Sequence, residues 1–148
     1  MWYRKGKHCR NRATAMKMAI LLNHVLSEEQ KQQAKTTLGV SEFISLPPEL
    51  KGLWSDADPC ASVGQLGVQE IICWLSDATS CGDYVLVQGD YALTFAVVDW
   101  CLSHKRVAVH ATTKRCASET LEDGVTVVKR EFRHVKFREY ERYNGKEW

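Results

Sequence analysis

Four short clusters hold most of the residues that could do chemistry: Asn23-His24, Gln88-Gly89-Asp90, Thr112-Thr113 with Lys114 and Arg115, and His134 with Lys136 and Arg138. A histidine can move a proton near neutral pH or donate to a phosphate oxygen. Threonine hydroxyls, main-chain amides and basic side chains hold an anion and stabilise charge that builds on it. A glycine at a strand end lets the backbone approach a ligand. Each cluster also has a plainer use. Asp90 suits a helix N-cap, Gln88 a strand cap, the threonine pair a capped loop, and His24 a hydrogen-bonded structural role. The tail charges suit a solvated edge strand.

The elements that would position these clusters read as alternating strands and helices. The run from Asp83 to Thr113 holds two apolar strands, Tyr84–Val87 and Val107–His110, joined by a helix from about Tyr91 to Ser103. Each strand ends in a polar cluster, and open α/β sheets bind ligands beyond the carboxyl ends of their strands. Upstream, Ala19–Leu22 is a strand ending in Asn23-His24. Ser27 with Gln30 has capping-box spacing for a helix to Leu38, which Gly39 closes. Phe43–Leu46 is a second strand, which Pro47-Pro48 stops. A loop carrying Leu53, Trp54 and Pro59 follows, then a helix over 64–78. Asp123-Gly124 marks a tight turn between two strand-like runs. The expectation is a Rossmann-like α/β domain over 18–148, with a mostly parallel sheet, flanking helices and a C-terminal β-hairpin. If Phe132–Tyr140 is extended, period two places His134, Lys136, Arg138 and Tyr140 on one face and Val135 and Phe137 on the other. His110 alternates within its strand and reads as packed, and His104 as a surface cation at a helix end.

The net charge of +2 over 148 residues conceals an uneven distribution. Residues 1–17 carry six basic side chains and no acid, which leaves −4 for the remainder. The body is therefore no general coat for long nucleic acid, and an anion site must be a local concentration of charge. The segment 1–17 has no apolar face to pack and reads as a leader outside the domain. No run is long and apolar enough for a membrane span. The six cysteines have no paired metal-knuckle spacing and read as reduced thiols of a cytoplasmic protein, Cys73 and Cys101 as small core hydrophobes. No dinucleotide glycine fingerprint, phosphate loop or nucleophile elbow is present, and neither a metal nor a cofactor is expected.

The strings ILLNHVLSEEQ, SLPPELKGLW, GDYVLVQGD, ATT and EFRHVKFREYE, in that order across about residues 18–142, resemble a family of small CRISPR-associated proteins of type III systems. The resemblance implies a Rossmann-like homodimer that acts as a ring nuclease on a cyclic oligoadenylate, with cyclic tetra-adenylate favoured. It carries Asn23, His24, Gln88, Gly89, Asp90, Thr112, Thr113, His134 and Arg138 over as site positions. In that setting His24, His134 and Thr112 are the expected catalytic residues. Asn23, Gln88, Gly89, Asp90, Thr113, Lys114, Arg115, Lys136 and Arg138 are the expected binding residues. The reaction needs only in-line attack by a ribose 2′-hydroxyl on its own phosphorus and stabilisation of the charge that follows. A non-catalytic sensor or sponge, and a protein-interaction module, are the rival expectations.

Overall fold

A computed structural model of the chain describes residues 15–145. Five strands form one sheet in the order β2-β1-β3-β4-β5. β1 (Lys17–Leu21), β2 (Glu42–Ser45), β3 (Tyr84–Val87) and the start of β4 (Val107–Glu122) pair in parallel, and β5 (Val125–Glu139) pairs antiparallel with β4. The connecting helices are α1 (Glu28–Leu38), α2 (Pro48–Ser55), α3 (Val68–Ala78) and α4 (Tyr91–Ser103). The result is the expected Rossmann-like α/β fold with a C-terminal hairpin.

Strand period two divides the sheet between two cores. Ala19, Leu21, Val85, Val87 and Ala108 face Trp54 of α2, Ile71 and Leu75 of α3, and Leu93, Val97 and Cys101 of α4. Met18, Leu22, Leu86 and Val109 face Ala34 of α1, with Phe137 of β5 packed alongside. All four residues of β3 are buried, as a central parallel strand covered on both sides requires. The connection from β1 leads outward to β2, and the chain then returns past β1 to β3. The topological switch point therefore lies between the carboxyl ends of β1 and β3, where such sheets bind ligands.

Several boundaries differ from the sequence reading, each for a local reason. The expected loop after Pro47-Pro48 is helix α2, because Pro48 occupies the first helical turn, where a missing N–H costs nothing. The expected helix over 64–78 is a 3-10 turn at Val63–Gln65 followed by α3. Gly67 separates them at φ +72°, and a Cβ there would lie 2.6 Å from Leu53 Cδ1. β1 begins at Lys17, and the Met16 carbonyl accepts from the Ser41 amide, so the domain starts before residue 18. The rest of the expected leader, residues 1–14, lies outside the described residues. Cys73 is exposed, whereas Cys101 is buried and its thiol is pushed up to about 12 by desolvation. The largest departure is β4. It does not stop at Thr112-Thr113 but runs 16 residues, to Glu122.

The turn from β3 into α4 has a strict size limit. A Cβ on Gly89 would sit 2.8 Å from three atoms of the Trp54 indole, and that ring is 1 % exposed, so it has nowhere to retreat. Gly89 is small because Trp54 is close. Gly89→Ala should therefore destabilise the fold by about 1–3 kcal/mol, the usual cost of forcing a methyl into a filled interior. Chemical denaturation measures this, and an unchanged midpoint would show that α2 shifts freely.

Candidate functional site

The carboxyl edge of the sheet is organised by Gln88. Its amide donates to the Leu21 carbonyl of β1 at 3.0 Å, and its carbonyl accepts from the Trp54 indole N–H of α2 at 3.2 Å. Its side-chain oxygen accepts from the Ala111 amide of β4 at 3.0 Å. β3 has ended at this level, so without Gln88 the Ala111 N–H would lose its ladder partner. Asp90 is the N-cap of α4, accepting from the amides of Ala92 and Leu93 at 2.9 and 3.1 Å. A carboxylate already occupies that helix N-terminus. Gln88, Gly89 and Asp90 thus shape the edge, and Gly89 gives way to Trp54 rather than to a ligand.

Beyond Ala111 the hairpin leaves the sheet. Its tip is Asp123-Gly124, with φ +50° and +79°, the mirror-image geometry that matches strand twist. A register shift near its root changes which side chains share a face. Thr112 pairs with Lys136 but Thr113 pairs with His134, which leaves Val135 as the extra residue of a bulge. One face therefore carries the pairs His110–Arg138, Thr112–Lys136 and Lys114–Arg133. The other carries Ala111–Phe137, Thr113–His134 and Arg115–Phe132. The expected alignment of His134 with Lys136 and Arg138 is corrected. His134 turns to the α1 side, where its ring lies 4.9 Å from that of Phe137. Strand alternation likewise separates Thr113 and Arg115 from Thr112 and Lys114, and the Arg115 guanidinium lies 5.3 Å from the Phe132 ring.

Gln33 of α1 holds the bulge at two points. It donates to the Val135 carbonyl at 2.7 Å, and its oxygen lies 2.6 Å from His134 Nε2. The latter contact requires the proton on Nε2. The Thr112 hydroxyl is also engaged, donating to the Lys136 carbonyl at 3.0 Å. Two of the three expected catalytic groups therefore have structural partners.

The face that carries His110, Thr112 and Lys114 is the one with chemical potential. Lys114, Lys136 and Arg138 form no ion pair among the described residues, and Arg133 reaches Glu131 only at 4.0 Å. His110 is half-buried with its ring 4.9 Å from that of Tyr140, whose hydroxyl donates to the Val87 carbonyl at 2.9 Å. Burial first, and the Arg138 charge second, lower the His110 pKa below its usual value. A neutral imidazole beside unneutralised cations can accept a proton while the cations hold an anion. The sequence reading passed over His110 as packed. The signal that could have found it is its place two residues before Thr112 in the same alternation.

Asn23 and His24 lie at the other side of the edge and are exposed. His24 lines a cavity of about 280 Å³ with Lys31, Lys51, Phe43 and Ser45. Neither lysine is apparent from strand-end reasoning, since both arrive on helices. The N-terminus of α1 beside this cavity is closed by the Ser27–Gln30 capping box and carries Glu28 and Glu29 in its first turn. Lys31 is itself paired with Glu28 at 2.6 Å, so here an anion would be held by His24 and Lys51 rather than by helix amides. β3 alone separates β1 from β4, but the His24 cavity opens on the α1 side with Ile20, Leu22 and Phe43, whereas His110 shares the opposite face of β4 with Ala108. No group of three or more histidine, cysteine or acidic side chains that could hold a metal occurs among the described residues. No described helix is long and apolar enough to cross a membrane.

Fold and edge together define a Rossmann-like α/β protein whose carboxyl edge presents unneutralised basic groups beside a neutral histidine. The chain belongs to the family described as the Uncharacterized protein MJ1673 family, which matches residues 16–138. It is 35 % identical over 127 residues to a protein of Methanocaldococcus jannaschii described as Uncharacterized protein MJ1673, covering 86 % of this chain and 98 % of that one. No solved structure matches significantly.

The clamp at the bulge has a pH signature. Burial lowers the pKa of His134, against a smaller raising effect of Glu29, and burial also lowers that of His110. Just below the ordinary value of 6.5 the unfolded chain then binds more protons than the folded one. Stability should be full above pH 6.5 and fall as the pH drops through the lowered folded values. His134→Phe should flatten that dependence in part. Gln33→Ala should cost about 1–2 kcal/mol and speed hydrogen exchange in the hairpin root. A pH-independent unfolding free energy between 5 and 7 would contradict this assignment of neutral imidazoles.

Proposed function

We propose that this protein binds a cyclic oligoadenylate, cyclic tetra-adenylate in preference, across the carboxyl edge of its sheet and cleaves it as a ring nuclease of type III CRISPR signalling. The observation that carries the reading is the unneutralised row of Lys114, Lys136 and Arg138 on the same hairpin face as His110 and Thr112. It adds to the sequence resemblance, which supplies the substrate. Arg138 and Lys136 would hold the scissile phosphate, and the adjacent 2′-hydroxyl would attack its phosphorus in line. The 2′-hydroxyl proton passes to His110, and the 5′-oxygen leaves as its bond to phosphorus breaks, taking a proton from water. The products are linear and end in a 2′,3′-cyclic phosphate and a 5′-hydroxyl. Lys31 already pairs with Glu28 at 2.6 Å, so His24 and Lys51 would take a second phosphate of the same ring around the sheet edge. A homodimer fits this substrate, since a twofold interface offers the same donors to both halves of a symmetric ring.

A binding-only reading, a sensor or sponge in the same cytoplasmic signalling, draws on a specific observation. His134 and Thr112 are engaged in hydrogen bonds that hold the hairpin root, which leaves fewer free catalytic groups than expected. The two readings differ in one measurement. Incubation of cyclic tetra-adenylate with the protein in excess chelator should give linear product with a cyclic phosphate end. His110→Ala should lower the single-turnover rate about a hundredfold. Arg138→Ala should weaken binding by roughly 1.5–3 kcal/mol, the worth of a hydrogen bond to a charged group. Tight binding without product would establish the sensor reading, and no binding would end both.

A further inference from the structure

Two apolar surfaces in this fold lack a partner among the described residues. The first is on the hairpin, which projects about eleven residues beyond Ala111, or roughly 35 Å at strand rise. A two-stranded ribbon of that kind is marginal in water without a layer to cover it. On its α1-side face stand Phe132, Val128 and Leu121, 65 %, 48 % and 77 % exposed, in line along the ribbon. The second surface is on α4. That helix is apolar on nearly every side, a pattern proper to a helix enclosed on all sides. Leu93, Val97 and Cys101 face the sheet, but Tyr91 and Phe95 on the opposite ridge are 94 % and 77 % exposed. The C-terminal segment covers the far half of this ridge, where Arg142 pairs with Asp99 at 3.0 Å. It leaves Tyr91 and Phe95 open.

We propose that a second copy of the chain covers both surfaces at once: the hairpin arm of each protomer lays its Leu121–Val128–Phe132 stripe on the Tyr91–Phe95 ridge of the other. Reciprocal exchange of this kind is what a twofold, isologous contact produces. Size supports it. Stripe and ridge each expose on the order of 400 Å², so each copy would bury about 800 Å², the per-partner area of a standard stable interface. Charge supports it as well. Residues 17–110 carry eleven acids against six lysines and arginines, a net −5, whereas the arm, 111–136, carries six against four, a net +2. Arg115 and Arg130, against the single acid Glu119, flank the stripe on its own face. An arm is therefore drawn to the body of another copy. The proposal extends the twofold assembly of the reading above, but it rests on surfaces independent of any ligand, and assembly is measured without one.

Sedimentation of the full chain at tens of micromolar tests this, with circular dichroism to verify the fold of each variant. The wild type should sediment at twice the mass of the chain. The arm variant Leu121→Asp/Phe132→Asp and the ridge variant Tyr91→Ser/Phe95→Asp should each sediment as monomers with unchanged spectra, since all four positions are exposed. An equimolar mixture of the two should recover dimer in part, because one intact arm then meets one intact ridge. A monomeric wild type, variants that remain dimeric, or a mixture that stays monomeric would each overturn the pairing. The last outcome would point to contact between the two arms themselves. A dimer that assembles as described but cleaves no cyclic oligoadenylate would leave this inference standing and remove the nuclease reading.

Discussion

The Gln88 side chain solves a problem set by unequal strand lengths, and the carboxyl edge depends on that solution. β3 ends at Val87, while its neighbour β4 continues for more than ten residues. At that step the Ala111 amide would face a missing strand, and Gln88 Oε1 takes the place of the absent carbonyl. The same residue joins β1 through Leu21 and α2 through Trp54, so four elements meet within one residue of the switch point. Tyr140 completes the closure on the Val87 carbonyl. The hairpin leaves the sheet beside this junction. Its basic face is then held against the edge where α/β sheets bind ligands.

Much of this frame was legible in the sequence because the signals are local. The β3 and α4 bounds, the Ser27–Gln30 capping box, the Gly39 cap and the Asp123-Gly124 turn each follow from residues a few positions apart. What was missed depends on distant partners. The bulge at Val135 is held by Gln33, about a hundred residues away, and no period-two count can anticipate it. That single extra residue takes His134 off the face of Lys136 and Arg138. His134 goes to the α1 side, and His110, read as packed, remains on the face of Arg138. Helix α2 was missed for a different reason, since a proline pair signals either a stop or a start.

Burial and charge are separated within the hairpin itself. One face of its root presents Lys114, Lys136 and Arg138, and the other presents His134 and Phe137 to α1. Farther out, the α1-side face carries apolar residues that no other described residue covers. Under the proposed function and assembly, a single element would offer an anion surface on one side and an assembly surface on the other. Membership of the MJ1673 family extends over residues 16–138, which include both strands of the ribbon and all of its bulge.

The claim on which the account turns is that the basic face at the hairpin root is the ligand surface, and the salt dependence of cyclic tetra-adenylate affinity tests it most directly. Three phosphate contacts on a single-stranded ligand predict that log K falls against log salt with a slope of about −2, since each contact contributes roughly −0.7. Removing one cation, as in Arg138→Ala, should reduce the steepness by close to one contact. Calorimetric titration at several salt concentrations provides both values. A slope near zero, or a slope unchanged by Arg138→Ala, would place the ligand elsewhere and contradict the account.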